Sequence, residues 1–156
     1  MNDMIDRDVM ERPDGPNSGT QVWRDLLFLH WKVSVDQLRK IVPRELEIDT
    51  YDGHAFVALV PFRMCEICPP WLPKRFAFNF LETNVRTYVH YKGKPGVYFF
   101  SLDANSRLAV WAARMGWSLP YYYAKMQSDN RNNLRTYQCT RGNIGSAVAF
   151  RENTSL

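Results

Sequence analysis

Polar and apolar positions alternate most regularly in "ETNVRTYV" (82–89). As a β-strand this segment sets Glu82, Asn84, Arg86 and Tyr88 on one face and Thr83, Val85, Thr87 and Val89 on the other. The polar face looks either at water or into a cavity. The strand is expected from about Phe76 to Tyr91, followed by a Gly-Lys-Pro-Gly turn at 93–96 and a partner strand, "VYFFSLD" (97–103). Upstream, "RDLLFLHWKV" (24–33) is apolar on both faces and suits a buried strand. Ser34 and Gln37 form a capping box for a short helix ending before Pro43. In "LEIDTYDGHAFVALVPF" (46–62), Asp52-Gly53 signals a hairpin, and the loop "CPPWLPK" (68–74) follows. Asp103 can cap a helix through Met115. Leu108, Trp111, Ala112 and Met115 fall at i, i+3, i+4 and i+7 as its packing stripe, with Gly116 as the stop. The strand "YYYAKMQ" (121–127), the turn-rich "SDNRNN" and "LRTYQCT" (134–140) predict a further hairpin. The fold class is α+β, mainly antiparallel β, as a partly closed barrel with two short helices.

Residues 1–20 contain Pro13 and Pro16 and show no period, so they read as a flexible leader before a single domain over 21–156. The 156-residue length and 46% hydrophobic content suit one core-forming domain. Net charge is +4, but it is uneven: −3 over residues 1–20, zero over 21–83 and +7 over 84–156. The bases are mostly single Arg residues among aromatics rather than Lys/Arg runs, which ranks nucleic-acid binding low. The acidic start lacks an export signal, and the longest apolar stretch, Phe56 to Phe62, is too short to span a bilayer. A soluble cytoplasmic protein with no membrane partner is expected. Its three cysteines read as reduced thiols.

Cys65-Glu66-Ile67-Cys68 has redox and zinc spacing, but prolines follow where a redox helix would start and no second ligand pair exists. No metal or other cofactor is expected. His30, in an apolar strand, reads as a hydrogen-bonded core histidine. Lys125 shares strand parity with Tyr121 and Tyr123, and it either reaches water or sits partly desolvated as a nucleophilic amine. If that face meets Glu82, Asn84, Arg86 and Tyr88 inside a barrel, the lining suits a small polar ligand, most simply an anion.

The ordered motifs "FLHW", "VPFRM", "ETNVRTYV", "GKPGVYFFSLDA", "LAVWAAR" and "LPYYYAKM" resemble the YqjF-like proteins, an uncharacterised bacterial family related to acetoacetate decarboxylase. The resemblance covers about residues 22–150 and implies a barrel-like fold with an enclosed cavity, lined by the polar face of "ETNVRTYV". It also implies that this chain stops early, because the family continues beyond "GSAVAFR" (145–151), so barrel strands would be missing. Acetoacetate decarboxylases carry two adjacent lysines after a Phe-Pro pair, the first forming a Schiff base with the substrate. Here Leu119-Pro120 is followed by Tyr121 and Tyr122, and Lys125 lies four residues downstream of the lysine position. Glu82 resembles a cavity glutamate of those enzymes.

The expected function is therefore that of a binding protein or enzyme for a small carboxylate or keto acid, without the Schiff-base lysine at its usual position. Glu82, Asn84, Arg86, Tyr88, Tyr121 and Tyr123 are the lining, and Glu82 and Lys125 the catalytic candidates. If the protein is an enzyme, lyase chemistry is implied, with Arg86 holding a carboxylate and Glu82 exchanging a proton. The alternatives are a non-catalytic ligand-binding module and, ranked below it, a basic partner- or nucleic-acid-binding domain. Homo-oligomerisation is left open.

Overall fold

The computed structural model describes residues 19–151 apart from 69–72, 74, 76 and 133. Nearly all of the expected leader and most of the proline-rich loop thus lie outside the described residues. The elements run β1 (Thr20–Arg24), β2 (Leu29–Val33), α1 (Val35–Arg39), β3 (Glu47–Ile48), β4 (Ala55–Cys68), β5 (Phe78–Tyr91), β6 (Lys94–Ala104), α2 (Arg107–Trp117), β7 (Tyr121–Tyr123), β8 (Lys125–Arg131), β9 (Leu134–Arg141) and β10 (Ile144–Arg151). They form a seven-stranded sheet, ordered β1-β4-β5-β6-β7 with β2 also on β4 and β3 on β5, and a three-stranded sheet, β10-β9-β8. All pairings are antiparallel except β6 with β7. The sheets are not closed into a barrel, as the expected incomplete closure allows, and the class is α+β.

Strands β4 and β5 are central. β4 has neighbours on both sides, and most of its side chains are buried or half-buried. The expected β5–β6 hairpin forms, but its turn is the two-residue Lys92-Gly93, whose φ angles of 51° and 77° are left-handed, and β6 resumes at Lys94. That geometry matches the right-handed twist of the flanking strands. Asp52-Gly53 makes a similar turn with φ of 51° and 72°, yet it closes only a Tyr51–His54 bridge, because β3 pairs with β5 instead of β4. The 24–33 segment is also two strands, broken by a bend at Asp25 (φ 59°), and both lie along one edge of β4 with most side chains exposed.

On the first sheet's odd face, defined by Val89 of β5, α1 packs Leu38 and Val42 on Ala55 and Val89. Ser34 caps α1 by accepting from the Gln37 amide, as the capping box requires. Leu81, also of odd parity, packs with Ala124 at the joint after β7 and with Met126 and Cys139 of the second sheet. The even face, with Phe80, Ala58, Val60, Phe62, Leu102 and Ala104, is covered by α2 and Tyr121.

Helix α2 corrects two expectations. Ser106 rather than Asp103 is the N-cap, with its Oγ accepting from the Ala109 amide. The packing stripe is Ala109, Val110 and Ala113, while Leu108, Trp111 and Met115 are 62%, 61% and 70% exposed. Small side chains let the helix backbone lie close to a sheet face already filled by Phe62, Phe80 and Tyr121.

The chain leaves β7 for the second sheet at Ala124, which is buried and donates its N–H to the Ala104 carbonyl at 3.0 Å. The single expected strand 121–127 is thus two strands in different sheets. The second sheet is fastened by Arg141 on Asp103 (3.0 Å), by Arg135 on Asp25 (2.5 Å) and by the Tyr137 hydroxyl, which donates to the Asp25 carbonyl. All three cysteines are buried thiols, with Cys65 and Cys68 inside β4 and its core. Among the described residues no helix is long and apolar enough to cross a membrane.

Candidate functional site on the inner face of β5

The period-two register delivers Glu82, Asn84, Arg86 and Tyr88 to the even face, under or beside α2. Glu82 lies opposite Phe62 and Ala104 in the flanking strands, so apolar neighbours surround its carboxyl. It is 2% exposed. Tyr121, brought over it by the parallel β6–β7 pairing, donates its hydroxyl to Glu82 Oε2 at 2.8 Å. Burial raises the Glu82 pKa from 4.5 to about 7, against hydrogen bonds from Tyr121 and Asn84 that favour the anion. The same burial, with the Glu82 charge, raises the Tyr121 phenol, so Tyr121 is a fixed donor. Asn84 is buried too, and its Oδ1 has no donor among the described residues.

Arg86 begins a different, more open part of the face. Its guanidinium carbon lies 5.3 Å from the Phe28 ring centroid and 5.7 Å from that of Tyr88, and its Nε is buried without a partner among the described residues. His30 stacks between the two aromatics, with ring centroids 6.2 Å from Phe28 and 5.7 Å from Tyr88, and shares a 2.7 Å hydrogen bond with the Tyr88 hydroxyl. His30 is exposed, which corrects its reading as a core histidine. Its partner is nonetheless a hydrogen-bonded one, as expected. Beside it a concavity of about 260 Å³ is lined by His30, Asp49, Thr50, Tyr51, Phe56 and Tyr88. Four residues of extended chain separate Arg86 from Glu82 by about 13 Å.

Tyr123 keeps the parity of Tyr121 but is 42% exposed and lies under the Arg107 guanidinium, whose carbon is 4.8 Å from its ring. Lys125 is exposed on β8, opposite Thr140, and does not share a sheet with Glu82. The structure therefore brings Glu82, Asn84 and Tyr121 together, sets Arg86 and Tyr88 farther along the same face, and separates Tyr123 and Lys125 from both. Phe28 and His30 belong to the face although sequence reasoning assigned them to packing. The one available signal was the polar His30 at even spacing from Phe28 in an otherwise apolar run.

On the odd face, Asp103 receives Arg141 and the Cys139 thiol (3.7 Å). Burial raises both the Asp103 carboxyl and the Cys139 thiol, the latter to about 11 with the help of the Asp103 charge. No group of three or more metal-binding side chains occurs among the described residues.

Comparison with known proteins places this geometry. YqjF of Bacillus subtilis (strain 168) is 47% identical over 137 residues, 87% of this chain and 57% of YqjF. Acetoacetate decarboxylase from Legionella pneumophila superposes with a TM-score of 0.68 at 16% identity, covering 92% of this chain and 56% of the enzyme. The enduracididine biosynthesis enzyme MppR, in its complex with pyruvate, gives 0.65 at 11% identity, covering 91% and 58%. At such identities the likeness shows a shared acetoacetate-decarboxylase-like fold. The chain spans little more than half the length of these relatives. Residues 20–156 match the model of DUF2071, "Uncharacterized conserved protein (COG2071)", and together with the YqjF identity this makes the chain a member of that family.

Proposed function

We infer that the protein binds a small carboxylate on the even face of β5, with Arg86 as its anchor. The carrying observation is the guanidinium held against Phe28 and Tyr88 with a buried, unpartnered Nε. Aromatic faces hold such a cation but offer no lone pair in its plane, whereas a carboxylate meets the planar fork with two oxygens. The complex of MppR with pyruvate supports this ligand class, since MppR shares the fold. Calorimetric titration of pentanoate tests it. Arg86→Gln should weaken binding at least about ten-fold with an unchanged circular dichroism spectrum. Equal affinity in the variant would sink the reading.

A second reading, proton-transfer or lyase chemistry on a keto acid, is favoured by the Glu82 carboxyl, whose pKa of about 7 suits an acid or base at neutral pH. The substrate would have to enter beneath α2 to reach it. Carbon dioxide release from acetoacetate, abolished in Glu82→Gln, is the expected signature. Turnover unaffected by that substitution removes Glu82 from the chemistry.

A further inference from the structure

We propose that the ligand anchored by Arg86 also carries an ammonium group, and that this group sits in the adjoining concavity against Asp49 and the rings of Tyr51, Phe56 and Tyr88. The proposal rests on the carboxylate reading and adds the second half of the ligand. The concavity is lined by the rings of Tyr51, Phe56 and Tyr88, by His30 and Thr50, and by one carboxylate, Asp49; the aromatic faces attract an organic cation and the carboxylate neutralises it.

The spacing narrows the class. Along β5 the order is Arg86, Tyr88, His90, all of one parity, and Asp49 flanks Tyr88 from the neighbouring chain segment: its N–H donates to the Tyr88 carbonyl at 3.0 Å and its Oδ1 lies 4.0 Å from His90 Nδ1. The Asp49 backbone is therefore level with Tyr88, two residues along β5 from Arg86, and its carboxylate turns toward His90. Two residues of strand rise about 6–7 Å, so the ligand's charges must be several bonds apart. An ω-amino carboxylate has that form, and an α-amino acid, with both charges on one carbon, does not. The volume of about 260 Å³ admits a short chain of this kind.

Titration of the full chain with 5-aminopentanoate, pentanoate and leucine decides the matter. The expected result is 5-aminopentanoate binding at least about ten-fold tighter than pentanoate and than leucine. Asp49→Asn should abolish that preference, and Arg86→Gln should weaken both linear ligands. Circular dichroism checks that the variants are folded. If pentanoate binds as well as 5-aminopentanoate, the ammonium inference is overturned and the carboxylate reading stands. Leucine matching 5-aminopentanoate, or a preference that survives in Asp49→Asn, overturns the charge-separated arrangement. If none of the three binds, both readings fall.

Discussion

The Tyr121 hydroxyl donates to the Glu82 carboxylate at 2.8 Å inside an apolar shell, joining a strand of the sheet's centre to one at its edge. This contact couples stability to pH. The folded-state pKa of about 7 lies above the unfolded 4.5, so the folded protein holds the extra proton, and stability falls as pH rises through that window. A shift of that size corresponds to at most about 3–4 kcal/mol. Glu82→Gln keeps an acceptor for Tyr121 without the charge. It should be more stable than the parent at pH 8 and close to it at pH 4.5, as read by urea denaturation at both values. A parent no less stable at pH 8 than at pH 4.5 relative to the variant would show that Glu82 ionises without cost.

Removing the donor acts in the opposite direction. Tyr121→Phe leaves the buried carboxyl with Asn84 as its remaining side-chain donor, and should cost about 1–3 kcal/mol, more at pH 8 than at pH 5 because the anion depends on the bond more than the acid does. Denaturation midpoints at the two pH values check the ordering.

The orientation of α2 gives a third test. Val110→Ala should destabilise by about 2 kcal/mol, whereas Leu108→Lys and Met115→Lys should each stay within about 0.5 kcal/mol, since only Val110 is in the core. The reverse pattern would mean that the bulky stripe faces the sheet after all.

Lys125 supplies a fourth. It is exposed on the second sheet and does not meet Glu82, so borohydride reduction in the presence of acetoacetate should leave no adduct on it by mass spectrometry. An adduct that disappears in Lys125→Met would restore it as a nucleophile.

These outcomes trace what sequence could carry. The parity of Glu82, Asn84, Arg86 and Tyr88 was legible because strand geometry imposes a period of two that burial on one face cannot blur. The α2 stripe was not, because bulk was taken as the sign of burial, and the helix offers a second stripe at similar spacing made of Ala109, Val110 and Ala113. The shared strand parity of Lys125 and Tyr121 fails for another reason. The chain changes sheets at Ala124 with neither glycine nor proline to mark the joint, so parity counted from Tyr121 stops applying there. Phe28 and His30 were hidden by the hydrophobicity of their strand, whose place at an edge follows from pairing choices far away in the chain.

The fastening of the second sheet to Asp25 bears on how the protein holds its fold. The bend between β1 and β2 is held from three directions: Arg63 lies 3.6 Å from the Asp25 carboxylate, Arg135 reaches it from β9, and Tyr137 bonds its carbonyl across 112 residues of chain. The last two contacts tie residue 25 to β9 over a long sequence separation, so the bend depends on the second sheet staying docked. A β9 variant such as Tyr137→Phe should therefore loosen amide protection around residue 25 before it disturbs the centre of the first sheet.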